Sequence, residues 1–142
     1  MRRITLVPAA LLVGTVLILS GCSGITDVTK EDRANKFVND ISNTSSFSNV
    51  GDSIHPDASQ KDQADTDAFW NTTFQHNTAY SISGLSISGD VGTASFSGGT
   101  YNGATIQFTF KNDAESAGGF FGGESDNYKI LRLRLDGSTV IQ

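Results

Sequence analysis

The two histidines and the lone cysteine are the side chains best suited to chemistry. The stretch DSIHPD places Asp52, His55 and Asp57 close together. A histidine beside carboxylates can serve as a general base or contribute to a metal site. Further ligands at recognisable spacing are missing, so the stretch reads as a polar turn ended by Pro56, and no metal is expected. His76, in FQHNTA, stands at a helix-to-strand junction. A cationic or hydrogen-bonding residue commonly serves the helix C-terminus there. Cys22 is the only cysteine, and disulfide, redox and metal roles all need partners that the chain lacks.

Other patterns give no catalytic assignment. No Gly-x-Ser-x-Gly elbow occurs, and nothing points to a Ser-His-Asp set assembled in space. The glycine-rich AGGFFGGES lacks the Lys-Ser/Thr ending and the following helix of a phosphate cradle. Its Phe120 and Phe121 either fold onto the core or contact a partner, the bilayer or a pocket mouth. Trp70, Tyr80, Tyr101 and Tyr128 are amphipathic aromatics that a binding cavity or a packed core would use equally well. No cofactor is expected.

The first 21 residues form a segment of their own. Met1-Arg2-Arg3 is a short basic start, Ile4 to Leu19 is almost wholly apolar, and Ser20 and Gly21 are small. That order is the layout of a secretory signal. The apolar run is shorter than the roughly 20 residues of a spanning helix. The Arg2-Arg3 pair reads as an ordinary basic start rather than a twin-arginine export signal. Leu19-Ser20-Gly21-Cys22 resembles the lipobox of bacterial lipoproteins. The resemblance implies diacylation of Cys22, cleavage before it, and a mature protein tethered to a membrane outside the cytoplasm, either the cell membrane or an outer membrane. Residues 1–21 are then the signal peptide and 22–28 an acylated N-terminus and short tether. From Ser23 to Val28 the tether reaches at most about 20 Å. Asn43-Thr-Ser and Asn71-Thr-Thr match the glycosylation acceptor pattern, and beside a bacterial lipobox they read as coincidence.

Without Arg2 and Arg3 the chain keeps 8 basic against 15 acidic residues. An acidic balance argues against nucleic acid, whose binding is dominated by cationic contacts, and against a polybasic hold on anionic lipid. With no disulfides available, stability outside the cytosol must come from a packed core, for which about 120 residues suffice.

Residues 29–142 read as one α+β domain. Thr29 with Asp32 makes a capping-box-like helix start. Ala34, Phe37, Val38 and Ile41 then recur on one helical face. Phe47, Val50 and Ile54 continue a helical spacing for about two turns up to Pro56. Ser59 and Asp62 cap a third helix carrying Ala64, Ala68, Phe69, Trp70 and Phe74. After Asn77 the period changes to 2. Strands are expected around Tyr80 to Ile87 with a bulge at Gly84, and over VGTASFS and ATIQFTFK. Further strands follow over Tyr128 to Leu135, with Arg132 and Arg134 outward, and after the Asp-Gly turn. Helices first and antiparallel strands after predict N-terminal helices packed on one face of a curved antiparallel sheet.

ISGDVGTASF, IQFTFKND and YKILRLRLDG, after three helices, resemble small exported lipoproteins with a nuclear transport factor 2-like (cystatin-like) domain. The resemblance covers most of residues 29 to 142. Two features depart from it: Tyr128 stands where Trp is common, and the loop 112 to 126 is longer than a hairpin needs. The resemblance implies a cone of bent sheet and helices, with a pocket that some members use for small molecules. A few relatives are isomerases or dehydratases with an Asp or His base in that pocket. The expected function is non-catalytic binding of a small apolar ligand in the concavity, or of an envelope protein. The alternatives are an isomerase- or hydratase-type enzyme using His55, His76 or a buried Asp, and a purely structural role at the envelope.

Overall fold

A computed structural model describes residues 27–113 and 126–142. Cys22, Phe120 and Phe121 lie outside them. Helix α1 spans Lys30–Ile41, and its start is the expected capping box. Thr29 Oγ1 accepts from the Asp32 amide at 3.1 Å, and Asp32 Oδ2 accepts from the Thr29 amide at 3.2 Å. Two of the four orphan amides of the helix start are thereby satisfied. Ala34, Phe37, Val38 and Ile41 are buried on one face, joined by Arg33. The Arg33 guanidinium reaches the Tyr128 carbonyl at 2.7 Å and Asn127 Oδ1 at 3.1 Å. It ties α1 to the strand start across the core edge.

The next segments are shorter than their apolar spacing predicts. Around Val50 there is one 3-10 turn, Val50–Ser53, instead of two helical turns. The expected third helix is two pieces, α2 (Lys61–Ala64) and α3 (Asp67–Trp70). Thr66 breaks it: its backbone is extended and its hydroxyl caps α3 by accepting from the Phe69 amide. Ser59, the expected cap, instead donates to the Gln142 carbonyl at 2.5 Å.

Five strands then form an antiparallel meander in sequence order: β1 Ser81–Ser88, β2 Val91–Gly98, β3 Tyr101–Asn112, β4 Tyr128–Leu135 and β5 Ser138–Ile141. The α+β architecture is therefore present, with the helices on one face of the bent sheet. The bulge falls at Gly84, whose φ is +63°. There the register passes from Ser83↔Ser95 to Ser86↔Thr93. A second bulge sets Leu131 outside the ladder, between Thr109↔Arg132 and Phe110↔Ile130, so the apolar alternation of β4 stumbles at Ile130-Leu131. Asp136 and Gly137 close the last hairpin, both at positive φ, as a two-residue Asp-Gly turn requires.

The inner sheet face and the helices share one core. Phe37 meets Trp70 edge-on at 5.6 Å between ring centroids and Phe108 at 5.9 Å. Phe74 meets Phe96 at 6.0 Å, and Phe96 stacks on Tyr80 at 5.4 Å. Such pairs contribute about 0.5–1.5 kcal/mol each beyond burial. Among the described residues no helix is long and apolar enough to cross a membrane.

Candidate functional site

His55 is buried, and its place in the chain explains why. The segment before Pro56 lies along β4, with Ile54 bridged to Ile130 and the His55 amide donating to the Ile130 carbonyl at 2.8 Å. Its Nδ1 accepts from the Asp57 amide at 3.0 Å. Asp57 is turned to Lys111, whose ammonium holds its carboxyl below the usual range. The ring therefore closes a turn, and no three metal-ligating side chains gather among the described residues.

His76 forms a different assembly. Its Nε2 lies 3.0 Å from Asp67 Oδ1, which also accepts from the Phe47 amide at 2.6 Å. The imidazole stacks on Phe47 with centroids 4.5 Å apart. The Phe47 amide, then His76, holds the Asp67 carboxyl below the usual carboxylate range, with Ser46 adding a smaller contribution. Here a carboxylate touches both a serine and a histidine, whereas in a nucleophilic triad the imidazole touches the hydroxyl. The expectation that His76 serves a helix C-terminus is corrected: its partner is in the first turn of α3.

The four polar aromatics separate into two pairs. Trp70 is 0% and Tyr80 5% exposed, so both are core. Trp70 Nε1 donates to Ala64 O at 2.7 Å, and the Tyr80 hydroxyl accepts from the Gln75 amide at 2.8 Å. Their polar ends are satisfied internally, and neither offers a ligand a surface. Tyr101 and Tyr128 are half-buried. Tyr101 lines a surface groove of about 420 Å³ with Phe69, Asp136 and Val140, its hydroxyl donating to the Thr73 carbonyl at 3.1 Å. Burial, first, and then Tyr80 and Asp136 push that hydroxyl's pKa up. Tyr128 lies beneath the Lys30 ammonium, 4.6 Å from the ring centroid, in a hollow of about 390 Å³ beside Ile87 and Asp126. Lys30 is also bound to Asp90, which raises its pKa. Neither histidine lines these hollows.

The uncovered sheet face is polar throughout its middle. Cross-strand partners share a face, so Ser95↔Thr105, Gln107↔Arg134 and Thr109↔Arg132 stand together on the side away from the helices. A shallow hollow of about 490 Å³ lies over Ser83, Gly84, Thr93, Gly103 and Thr105. A smaller one of about 190 Å³ lies over Thr105, Gln107, Arg134 and Gly137. Thr105 belongs to both. The outward direction of both arginines is legible from the alternation of β4. Their neighbours are not, because strand register and Gly84 bring them together. This arrangement can hydrogen-bond and attract anions, and it holds no general base or nucleophile pair. Compared with known proteins, the chain matches no family profile, no curated protein and no solved structure.

Proposed function

We propose that this protein is a lipid-anchored bacterial lipoprotein, tethered through Cys22 outside the cytoplasm. Its nuclear transport factor 2-like domain binds an envelope partner without catalysing a reaction. One observation carries the binding part of this reading: among the described residues, buried side chains occupy the space between helices and sheet. Phe37, Trp70, Phe74, Tyr80, Phe96 and Phe108 occupy it as one aromatic cluster. A carrier of small apolar molecules needs a hollow there, typically about 300–1,000 Å³. Recognition therefore belongs to the outer surface, and an envelope partner is favoured over a ligand held inside. The helices-then-meander order supports the fold reading, and the signal-like leader before a lone cysteine supports the anchor.

The isomerase or hydratase reading needs a base facing a hollow. Neither His55, held by the Asp57 amide, nor His76, paired with Asp67, lines the hollows described above, and this favours the binding reading.

Mass spectrometry of the protein purified from its own membranes tests the anchor. The expected mature N-terminal peptide begins at an acylated Cys22, and C22S moves the protein to the aqueous fraction. An unmodified cysteine, or retention of residues 1–21, overturns the anchor. Cross-linking and pull-down from native membranes, read for both protein and carbohydrate, test the partner; recovery of the protein with neither counts against one.

A further inference from the structure

The protein's cations are distributed unevenly between neutralised and open positions. All five lysines sit on carboxylates: Lys30 on Asp90, Lys36 on Asp40, Lys61 on Asp65, Lys111 on Asp57 and Lys129 on Asp113. Arg33 is buried against Tyr128 and Asn127. Arg132 and Arg134 differ from these. Both are exposed on the uncovered face of β4, and among the described residues neither has a carboxylate within ion-pair distance. Arg134 donates to the Gly137 carbonyl at 3.2 Å. In a chain with a formal net charge of −5, these two guanidinium groups are the exposed cations without a carboxylate partner among the described residues.

The surface beside them is a trough. The hollows over β1–β3 and over β3–β4 meet at Thr105. Adjacent strands lie about 4.8 Å apart, so the trough crosses roughly 14 Å from β1 to β4. Two glycines keep it open: a Cβ at Gly84 or Gly103 would meet nothing within 4 Å. Hydroxyls of Ser83, Thr93, Ser95 and Thr105 and the Gln107 amide line it, and no aromatic ring does. Protein–protein hot spots concentrate in buried aromatic and arginine anchors, and a trough of hydroxyls supplies no apolar pocket for a partner's aromatic anchor. Hydroxyls and an amide suit a polyhydroxylated chain, and a guanidinium fork suits a carboxylate. Arg134 lines one end of the trough and Arg132, paired with Thr109, stands just beyond it on the same face. Two charges beside a long hydroxyl-lined trough match a sparsely charged polymer rather than a densely charged one.

We infer that this trough is a binding site for an acidic polysaccharide, with Arg132 and Arg134 pairing to sugar carboxylates and the β1–β3 hydroxyls following the chain. The inference rests on the proposed envelope location and names the partner class of that reading. The N-terminal peptide mass tests location independently of what the trough binds.

The test uses the full chain purified from membranes in neutral detergent, with hyaluronate as probe, which carries one carboxylate per disaccharide. Hyaluronate binds at low salt and weakens as ionic strength rises from about 0.05 M to about 0.5 M, because exposed charges are screened. R132Q/R134Q, which leaves the core untouched, lowers affinity at least about tenfold, as expected for losing hydrogen bonds to charged groups, with an unchanged melting temperature. K36Q/K61Q removes the same formal charge elsewhere and leaves binding as it was. Absence of hyaluronate binding, equal binding of neutral dextran, or equal losses in the two double variants would each overturn the site. Binding of poly-L-glutamate as tight as hyaluronate would overturn the polysaccharide assignment in favour of an acidic peptide.

Discussion

Asp67 and His76 lock the segment between the 3-10 turn and the sheet: one carboxylate oxygen receives both the His76 ring at 3.0 Å and the Phe47 amide at 2.6 Å. Phe47 is fully buried, so its amide needs this partner. The contact joins three chain segments across a region with little regular structure.

That contact sets a dependence on pH. The folded-state pKa of Asp67 lies below its ordinary value, so the carboxylate contributes stability that is fully present above the unfolded value, near about 4. The contribution is lost as pH falls through the folded value. D67N is therefore expected to be less stable than wild type at neutral pH and to lose less on acidification. Urea midpoints near neutrality and below about pH 3 check this against the ordinary carboxyl value. Parallel losses in the two proteins would rule out the assigned role.

Trp70 carries much of the core's volume and closes a hydrogen bond to Ala64 O. W70A is expected to cost about 3–5 kcal/mol, the range for emptying a large aromatic site. Denaturation followed by circular dichroism measures it, since this is the chain's only tryptophan.

Two glycines are required for opposite reasons. A Cβ at Gly51 would lie 2.1 Å from Asp65 Oδ1 and 2.7 Å from Ala64 O, whereas at Gly84 only the φ of +63° resists a side chain. G51A is expected to cost about 1–3 kcal/mol through steric displacement of the α2–α3 linker. G84A should cost about 1 kcal/mol through left-handed backbone strain. Thermal melts of both variants give the order; a milder effect at Gly51 would contradict the close approach.

Ser53 is fully buried, and its hydroxyl has no hydrogen-bond partner among the described residues. S53A removes a desolvated donor without opening a cavity. The expected outcome is unchanged stability or a gain of up to about 1 kcal/mol, read from the urea midpoint. A loss above about 1 kcal/mol would mean that the hydroxyl is satisfied.

The capping box at Thr29 and Asp32 starts the longest helix among the described residues. T29A should destabilise by about 1 kcal/mol, and D32A should destabilise in the same direction. Native-state hydrogen exchange in the first turn of α1 would show the loss locally.

The legible parts of the fold are those in which local spacing and the final environment agree. The α1 face, the capping box, the Gly84 bulge, the Asp-Gly turn and the outward arginines all follow from periodicities set by backbone geometry. The segment 43–76 was less legible. Phe47, Val50, Ile54, Trp70 and Phe74 have helix-like spacing, yet they reach the core from loops and four-residue turns. Apolar spacing records only that these side chains become buried. Thr66, whose hydroxyl serves better as a cap than inside a helix, was the overlooked signal.

The sequence by itself determined the α+β order and the polar and apolar faces of the sheet. These follow from residue types taken over short distances along the chain. Only tertiary structure decided that Trp70 and Tyr80 fill the interior while Tyr101 and Tyr128 edge surface grooves. It also decided that all five lysines meet carboxylates while, among the described residues, Arg132 and Arg134 do not. Partners such as Lys111 and Asp57, 54 residues apart, are brought together by strand register and loop paths. Local sequence does not encode that proximity.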